Sequence, residues 1–133
     1  MTRDLVLIID DQPMIRSLTK EFLSRQGYRV MTASSGLEGI ALFDEHIPEL
    51  KCVLLDISMP EMDGCEVLAR LKKIDPSVKV VLISGYGNDY LRNKYSLDEA
   101  QLCLQKPFNS KQLMQAIESC WEVPRASHRA ANG

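Results

Sequence analysis

The 133-residue chain is poor in several of the features that decide what chemistry a protein can do. It has four cysteines, Cys52, Cys65, Cys103 and Cys120, and none stands in a Cys-x-x-Cys pair. Only His46 and His128 could join them, so the clustered nitrogen and sulfur donors of a zinc site are missing. The formal net charge is −2. With no basic field and no polybasic run, neither direct nucleic-acid binding nor attachment to an anionic membrane is expected. No apolar run is long enough to cross a bilayer, and Met1-Thr2-Arg3-Asp4 begins no signal-peptide core. A cytoplasmic, thiol-reduced setting is the simplest expectation, with three of the cysteines falling in apolar or helical patterns as small core residues. There is no internal repeat and no second domain. No glycine-rich phosphate cradle precedes a helix, which excludes a P-loop nucleotide site.

What is present is ordinary in bulk and specific in its order. Apolar content of 45% and charged content of 26% suit one globular domain with a core of its own. The organising stretch is Cys52-Val53-Leu54-Leu55-Asp56, four apolar residues running into one carboxylate, followed by a turn containing Pro60 and Asp63-Gly64. An unalternating apolar run of this length predicts a strand buried on both faces of a parallel sheet. Asp56 then stands where the strand emerges, at the carboxyl edge where open α/β sheets bind ligands. Taken alone, it is most simply an acid that ends a strand.

The rest of the chain repeats the pattern. Leu5 to Ile9 is a second pure apolar run, ending in Asp10-Asp11, and Pro13 suits the first turn of a helix. Ile15, Leu18, Phe22 and Leu23 give that helix its apolar face, and Gln26-Gly27 stops it. Tyr28 to Thr32 predicts a strand at or near an edge. Ser34 or Ser35 caps a second helix with a stripe of Leu37, Ile40 and Ala41, closed by Pro48. Val67, Leu68 and Leu71 mark a third helix ending near Asp75-Pro76. Val78 to Ile83 predicts the fourth strand, running into Ser84-Gly85-Tyr86-Gly87. Asn88 to Leu97 has weak periodicity and predicts a short, poorly anchored helix. Leu102 to Gln105 predicts a fifth strand, followed by Lys106-Pro107-Phe108. Asn109 or Ser110 caps a last helix with Leu113, Ile117 and Trp121 on one face and Pro124 at its end. Residues 1–122 form the expected domain and 123–133 an expected disordered tail. Five strands alternating with five helices require helix-length, right-handed crossovers. The expected fold class is α/β, a three-layer sandwich around a five-stranded parallel sheet.

All carboxyl ends of a parallel sheet lie on one edge. Asp10, Asp11, Asp56, Ser84 and Lys106 therefore converge, although the chain scatters them over nearly a hundred positions. A strand end needs one polar residue, not three carboxylates aimed at each other. At ~4 Å and an effective dielectric of ~20, each pair of charges costs about 4 kcal/mol before screening. A hard divalent cation such as Mg²⁺ suits an all-oxygen cluster, and Lys106 is a second source of positive charge. Carboxylates, Mg²⁺, a lysine and a hydroxyl are the parts of phosphoryl transfer, with Asp56 as the nucleophile that keeps the group.

On these residues the sequence resembles the receiver domain of two-component response regulators. Asp10-Asp11, Asp56 with Met59-Pro60-Glu61-Met62-Asp63-Gly64, Ser84-Gly85 and Lys106-Pro107-Phe108 carry the resemblance, which spans about residues 4 to 122. It implies a flavodoxin-like receiver fold with strand order 2-1-3-4-5, and a signalling domain rather than an enzyme. It also implies that Asp56 accepts a phosphoryl group from a sensor histidine kinase, a histidine phosphotransfer protein or a small phosphodonor. By the same resemblance, Asp11 and Asp56 ligate Mg²⁺ directly, Asp10 does so through water, and the Ser58 backbone carbonyl completes the protein's share. Lys106 contacts the phosphoryl oxygens, Ser84 turns toward them and moves its loop, Gly85 leaves them accessible, and Lys106-Pro107 is a cis peptide. An effector or output domain then reads the altered surface. The chain departs from the family at Cys103, three residues before the lysine, where receivers often carry Tyr or Phe. The rotating aromatic is therefore missing.

Two other readings compete. A pseudo-receiver acting as a constitutive protein-interaction module need not keep a repulsive acid cluster. A Mg²⁺-dependent phosphohydrolase of haloacid-dehalogenase type needs a second acid two residues after the nucleophile, where Ser58 stands. No output domain is legible after residue 122, and a stand-alone receiver, part of a larger regulator and the receiver end of a hybrid kinase stay open.

Overall fold

Each apolar run that ends in a polar residue forms a strand of one sheet. The computed structural model describes residues 3–98 and 100–121. In chain order the elements are β1 (Leu5–Ile9), α1 (Pro13–Arg25), β2 (Arg29–Ala33), α2 (Gly36–His46), a 3-10 turn (Ile47–Glu49), β3 (Leu50–Asp56), α3 (Gly64–Ile74), β4 (Val80–Ser84), α4 (Asn88–Tyr95), β5 (Leu102–Gln105) and α5 (Ser110–Ser119). The five strands are parallel and ordered β2-β1-β3-β4-β5. Every residue of β1 and β4 is buried, and in β3 only Lys51 is half-exposed. The continuous apolar runs thus become the three inner strands, and the mixed runs become the edges.

Alternation along each strand sends side chains to two separate cores. Leu5, Leu7, Ile9, Val53, Leu55 and Leu82 meet Phe43 of α2, Val67, Leu68 and Leu71 of α3, and Leu91 of α4. On the other face Val6, Ile8, Cys52, Leu54, Val81 and Ile83 meet Leu23 of α1 and Leu113, Ile117 and Cys120 at the α5 end. Fully burying one such aliphatic side chain is worth about 1.5–3 kcal/mol. The expected three-layer α/β architecture is the one found. Among the described residues, no helix is long and apolar enough to cross a membrane.

Local chemistry sets the helix ends. Gln26 closes α1 and Gly27 takes φ 96°, a backbone conformation that disfavours any Cβ. The Ser35 hydroxyl accepts the Glu38 N–H at the start of α2. Asn109, not Ser110, caps α5 in a reciprocal box with Gln112.

Several expectations fail in detail, each for a physical reason. Leu37 is 61% exposed and Ala41 is also on the solvent side. Instead α2 buries Gly36, Gly39 and Phe43, because the helix backbone lies so close to β1 that a methyl at Gly39 would collide with the Ile9 side chain. Of the expected stripe Ile40 does pack against the core, but glycines carry no hydrophobic signal, so the periodicity missed the centre of the buried face. Leu18 of α1 is likewise 58% exposed. Helix α5 ends at Ser119, before Pro124 acts, and Trp121 leaves the helix face. Its indole N–H donates to the Lys51 carbonyl, and Arg3 and Lys79 stand 4.8 and 5.1 Å from the ring centre. Helix α4 is short, as expected, yet it is anchored. Leu91 is 1% exposed, and the Arg92 guanidinium donates to the carbonyls of Asp98 and Gln101 at 2.7 and 2.8 Å. The expected disordered tail, 123–133, lies outside the described residues.

Candidate functional site

At the carboxyl edge the register sets Ile9 beside Leu55, Asp56 beside Ile83, and Ser84 beside Gln105. Asp10 and Asp11 leave β1 there, Asp56 ends β3, Ser84 ends β4 and Lys106 follows β5. The edge brings the expected acids together: one carboxylate oxygen from each of Asp10, Asp11 and Asp56 lies within 4.8 Å of the others. The Lys106 Nζ stands 3.8 Å from Asp56 Oδ2. Asp10, Asp56 and Ser84 are buried, whereas Asp11 is half-buried and opens the cluster to solvent.

Hydrogen bonds hold Asp10, Asp56, Ser84 and Lys106 in place. Asp10 Oδ1 accepts the Gln12 N–H at 2.9 Å, and the Asp10 carbonyl accepts from Arg16 Nη1 at 2.7 Å. Asp56 Oδ1 accepts the Ser58 N–H at 3.0 Å, so Ser58 bears on the site through its backbone while its side chain is exposed. Just beyond, Gly64 N–H donates to the Ile57 carbonyl at 3.0 Å. A Cβ at Gly64 would lie 2.5 Å from Ile57 Cα and 2.9 Å from the Asp56 carbonyl oxygen. The start of α3 is therefore pressed against the backbone that carries Asp56. The Ser84 hydroxyl accepts the Tyr86 N–H at 2.9 Å, and the Ser84 carbonyl accepts the Lys106 N–H at 2.7 Å. Lys106-Pro107 is cis, and Gly85 has open space where a side chain would stand.

Electrostatics give the cluster its character. Burial pushes the Asp56 carboxyl above its ordinary pKa, and the nearby Asp10 and Asp11 charges push the same way. The Ser58 N–H and the Lys106 ammonium oppose the rise without cancelling it. One partly exposed ammonium at 3.8 Å does not neutralise three carboxylates. The donor set is all oxygen, with no nitrogen or sulfur, and it fits a hard divalent cation rather than zinc or copper. An ionised, cation-screened Asp56 beside a lysine and a hydroxyl can receive an electrophilic phosphorus.

Three residues near the site make contacts that the sequence did not show. Arg16 acts on Asp10 from inside α1, where an arginine reads as a solvated helix residue. Gly64 read as a turn breaker, and its close approach to Asp56 depends on how α3 packs. Tyr95 of α4 reaches Asp63 across 32 positions of sequence, with its hydroxyl 3.4 Å from Asp63 Oδ2.

The family model for the response regulator receiver domain matches residues 6–118. The chain is 34% identical over 119 residues to sporulation initiation phosphotransferase F of Bacillus subtilis strain 168, covering 89% of this chain and 94% of that protein. It is 35% identical over 114 residues to the chemotaxis protein CheY of Listeria monocytogenes, covering 85% and 94%. Among solved structures, the CheX–CheY–BeF3–Mg²⁺ complex from Borrelia burgdorferi matches with a TM-score of 0.80 at 28% identity, covering 90% of each chain. A sheet order shared with such structures and a match running through both edges of the sheet leave one assignment: the chain belongs to the response regulator receiver domains, the signalling modules of two-component systems.

Proposed function

We propose that Asp56 accepts a phosphoryl group from the phosphohistidine of a sensor histidine kinase or histidine phosphotransfer protein, and that an effector or output domain then reads the changed surface. The observation that carries this is the gathering of Asp10, Asp11 and Asp56 within 4.8 Å, with the Lys106 ammonium on Asp56. The similar CheY from Borrelia burgdorferi, solved with BeF3 and Mg²⁺, supports the same chemistry here. Asp10, Asp11 and Asp56, with the Ser58 carbonyl, would hold Mg²⁺. When bound, Mg²⁺ supplies charge neutralisation for the incoming phosphoryl oxygens.

The remaining work falls to the chain. An Asp56 carboxylate oxygen attacks phosphorus, the phosphorus–nitrogen bond of the donor breaks, and the freed imidazole takes up a proton from solvent. The product is an acyl phosphate on Asp56. Lys106 faces the added negative charge of about −1.5 to −2. The Ser84 hydroxyl, whose oxygen accepts the Tyr86 N–H, can turn its own hydrogen to donate to a phosphoryl oxygen, and the Gly85 to Gly87 segment moves with it. Without a partner acid at Ser58, turnover of an external phosphoester is not expected.

Incubation with acetyl phosphate and Mg²⁺ tests the assignment by intact mass. The parent should gain one phosphoryl group, while Asp56→Asn, and the parent in excess chelator, should gain none. Equal labelling in any of these overturns it. An unlabelled parent that still binds its partner would favour a pseudo-receiver, and steady phosphate release from an added phosphoester would favour a hydrolase.

A further inference from the structure

The 56–64 loop carries the Asp56 site at one end and Asp63, the cap of α3, at the other. Asp63 Oδ1 accepts the Cys65 N–H at 2.6 Å, and Oδ2 is met by the Tyr95 hydroxyl at 3.4 Å. Tyr95 is the last residue of α4 and is half-buried, packed against the same core as Val67, Leu82 and Leu91. Its position is set from behind. Ser96 turns the chain with φ 53°, Leu97 N–H returns to the Arg92 carbonyl, and Arg92 grips Asp98 and Gln101. The ring thus sits on a fixed helix end while its hydroxyl reaches a loop in direct backbone contact with Asp56, through Gly64 against Ile57 and the Asp56 carbonyl.

Helix α4 is therefore joined to the site at both ends. Its start follows the Ser84–Gly87 loop, and its last residue holds the loop after β3. We propose that the Tyr95–Asp63 hydrogen bond is a second coupling link, by which the occupancy of Asp56 is passed to the C-terminal turn of α4. Burial and the Asp63 carboxylate raise the Tyr95 phenol pKa, so the hydroxyl stays protonated and able to donate. Cys103, half-buried on β5 and packed against the same core, is small and leaves the transmission between loop and helix to side chains such as Tyr95. Tyr95 acts as a positioning residue, through Asp63 and not on the phosphoryl group. This inference rests on Asp56 being the phosphoacceptor.

Two variants separate coupling from folding. Tyr95→Phe deletes only the hydroxyl. Asp63→Ser keeps a side-chain cap for α3 but is too short to reach the ring. Thermal melts, Mg²⁺ titration, acetyl phosphate labelling and hydrogen exchange of residues 91–98 with and without beryllofluoride are measured on each full chain. Both variants should melt and label as the parent does, while the beryllofluoride-dependent change in exchange at 91–98 falls to about half or less. An undiminished change in both variants overturns the link. Loss of labelling in both also overturns it, because Asp63 and Tyr95 would then be serving the site itself. A parent that is not labelled at Asp56 removes the phosphoacceptor reading and this inference with it. A labelled parent with unaltered variants removes the inference alone.

Discussion

Asp56 is buried to 4% exposure beside two other carboxylates, and its free energy depends on which charge reaches it. Its folded-state pKa is raised above the ordinary value of 3.8, chiefly by burial. The native state therefore binds the proton more tightly than the unfolded chain, and this contribution to stability is fully present below pH 3.8. It is lost as pH rises through the folded-state value, so at neutral pH the ionised group works against folding. The Lys106 ammonium offsets part of this, but it is partly solvated and 3.8 Å away. In chelator at neutral pH, Asp56→Asn should be more stable than the parent by on the order of 1 kcal/mol. The gain should shrink as pH falls through the raised folded-state value and be gone below pH 3.8, where both folded and unfolded parent hold the proton. Urea unfolding at several pH values measures it, and an equal or lower stability of the variant at pH 7 would contradict the sign. Asp10, Asp11, Asp56, Ser84 and Lys106 were all legible as residues because each ends or follows an apolar run. Arg16 and Tyr95 were not, because what they grip is set by helix placement.

Among the elements, α3 shows most directly how packing serves the site. Its first residue, Gly64, lies against Ile57 and Asp56 with no space for a Cβ. Gly64→Ala meets backbone at 2.5 and 2.9 Å, not a yielding side-chain end. The helix or the loop must shift, with an expected loss of about 1–3 kcal/mol of the kind caused by overpacking. Because the strained contacts are with the Ile57 and Asp56 backbone, labelling by acetyl phosphate should slow along with the loss of stability. Full-rate labelling with parent-like urea stability would show that the α3 entry is looser than the geometry implies. The contrast with α2 is instructive. Gly36 and Gly39 are also buried by close approach, but they support β1 and α3 packing and not the acids, and of the apolar stripe assigned from Leu37, Ile40 and Ala41 only Ile40 meets the core. Glycine marked a turn correctly at Gly27 and concealed a contact surface in α2 and α3.

For the molecule as a whole, the proposed Mg²⁺ site predicts a stability that depends on cation concentration. A ligand that binds only the folded state stabilises by RT ln(1 + [L]/Kd), about 2.7 kcal/mol at one hundred times Kd. Thermal melts should therefore shift upward with added Mg²⁺ in the parent and by much less in Asp11→Asn, at matched ionic strength. An equal shift in both would place the stabilising cation elsewhere. The amino-acid sequence by itself determined the parallel α/β class and the convergence of five polar residues, while the strand order came with the family resemblance. Continuous apolar runs read as inner strands, helix-length crossovers favour one handedness, and every carboxyl end of a parallel sheet then shares an edge. Tertiary structure alone decided that α2 packs through glycine and Phe43, that Trp121 turns to the Lys51 carbonyl, that Arg92 anchors a helix of weak periodicity, and that Tyr95 meets Asp63. Those contacts depend on distances between elements far apart in the chain, and residue type and local spacing hold no record of such distances.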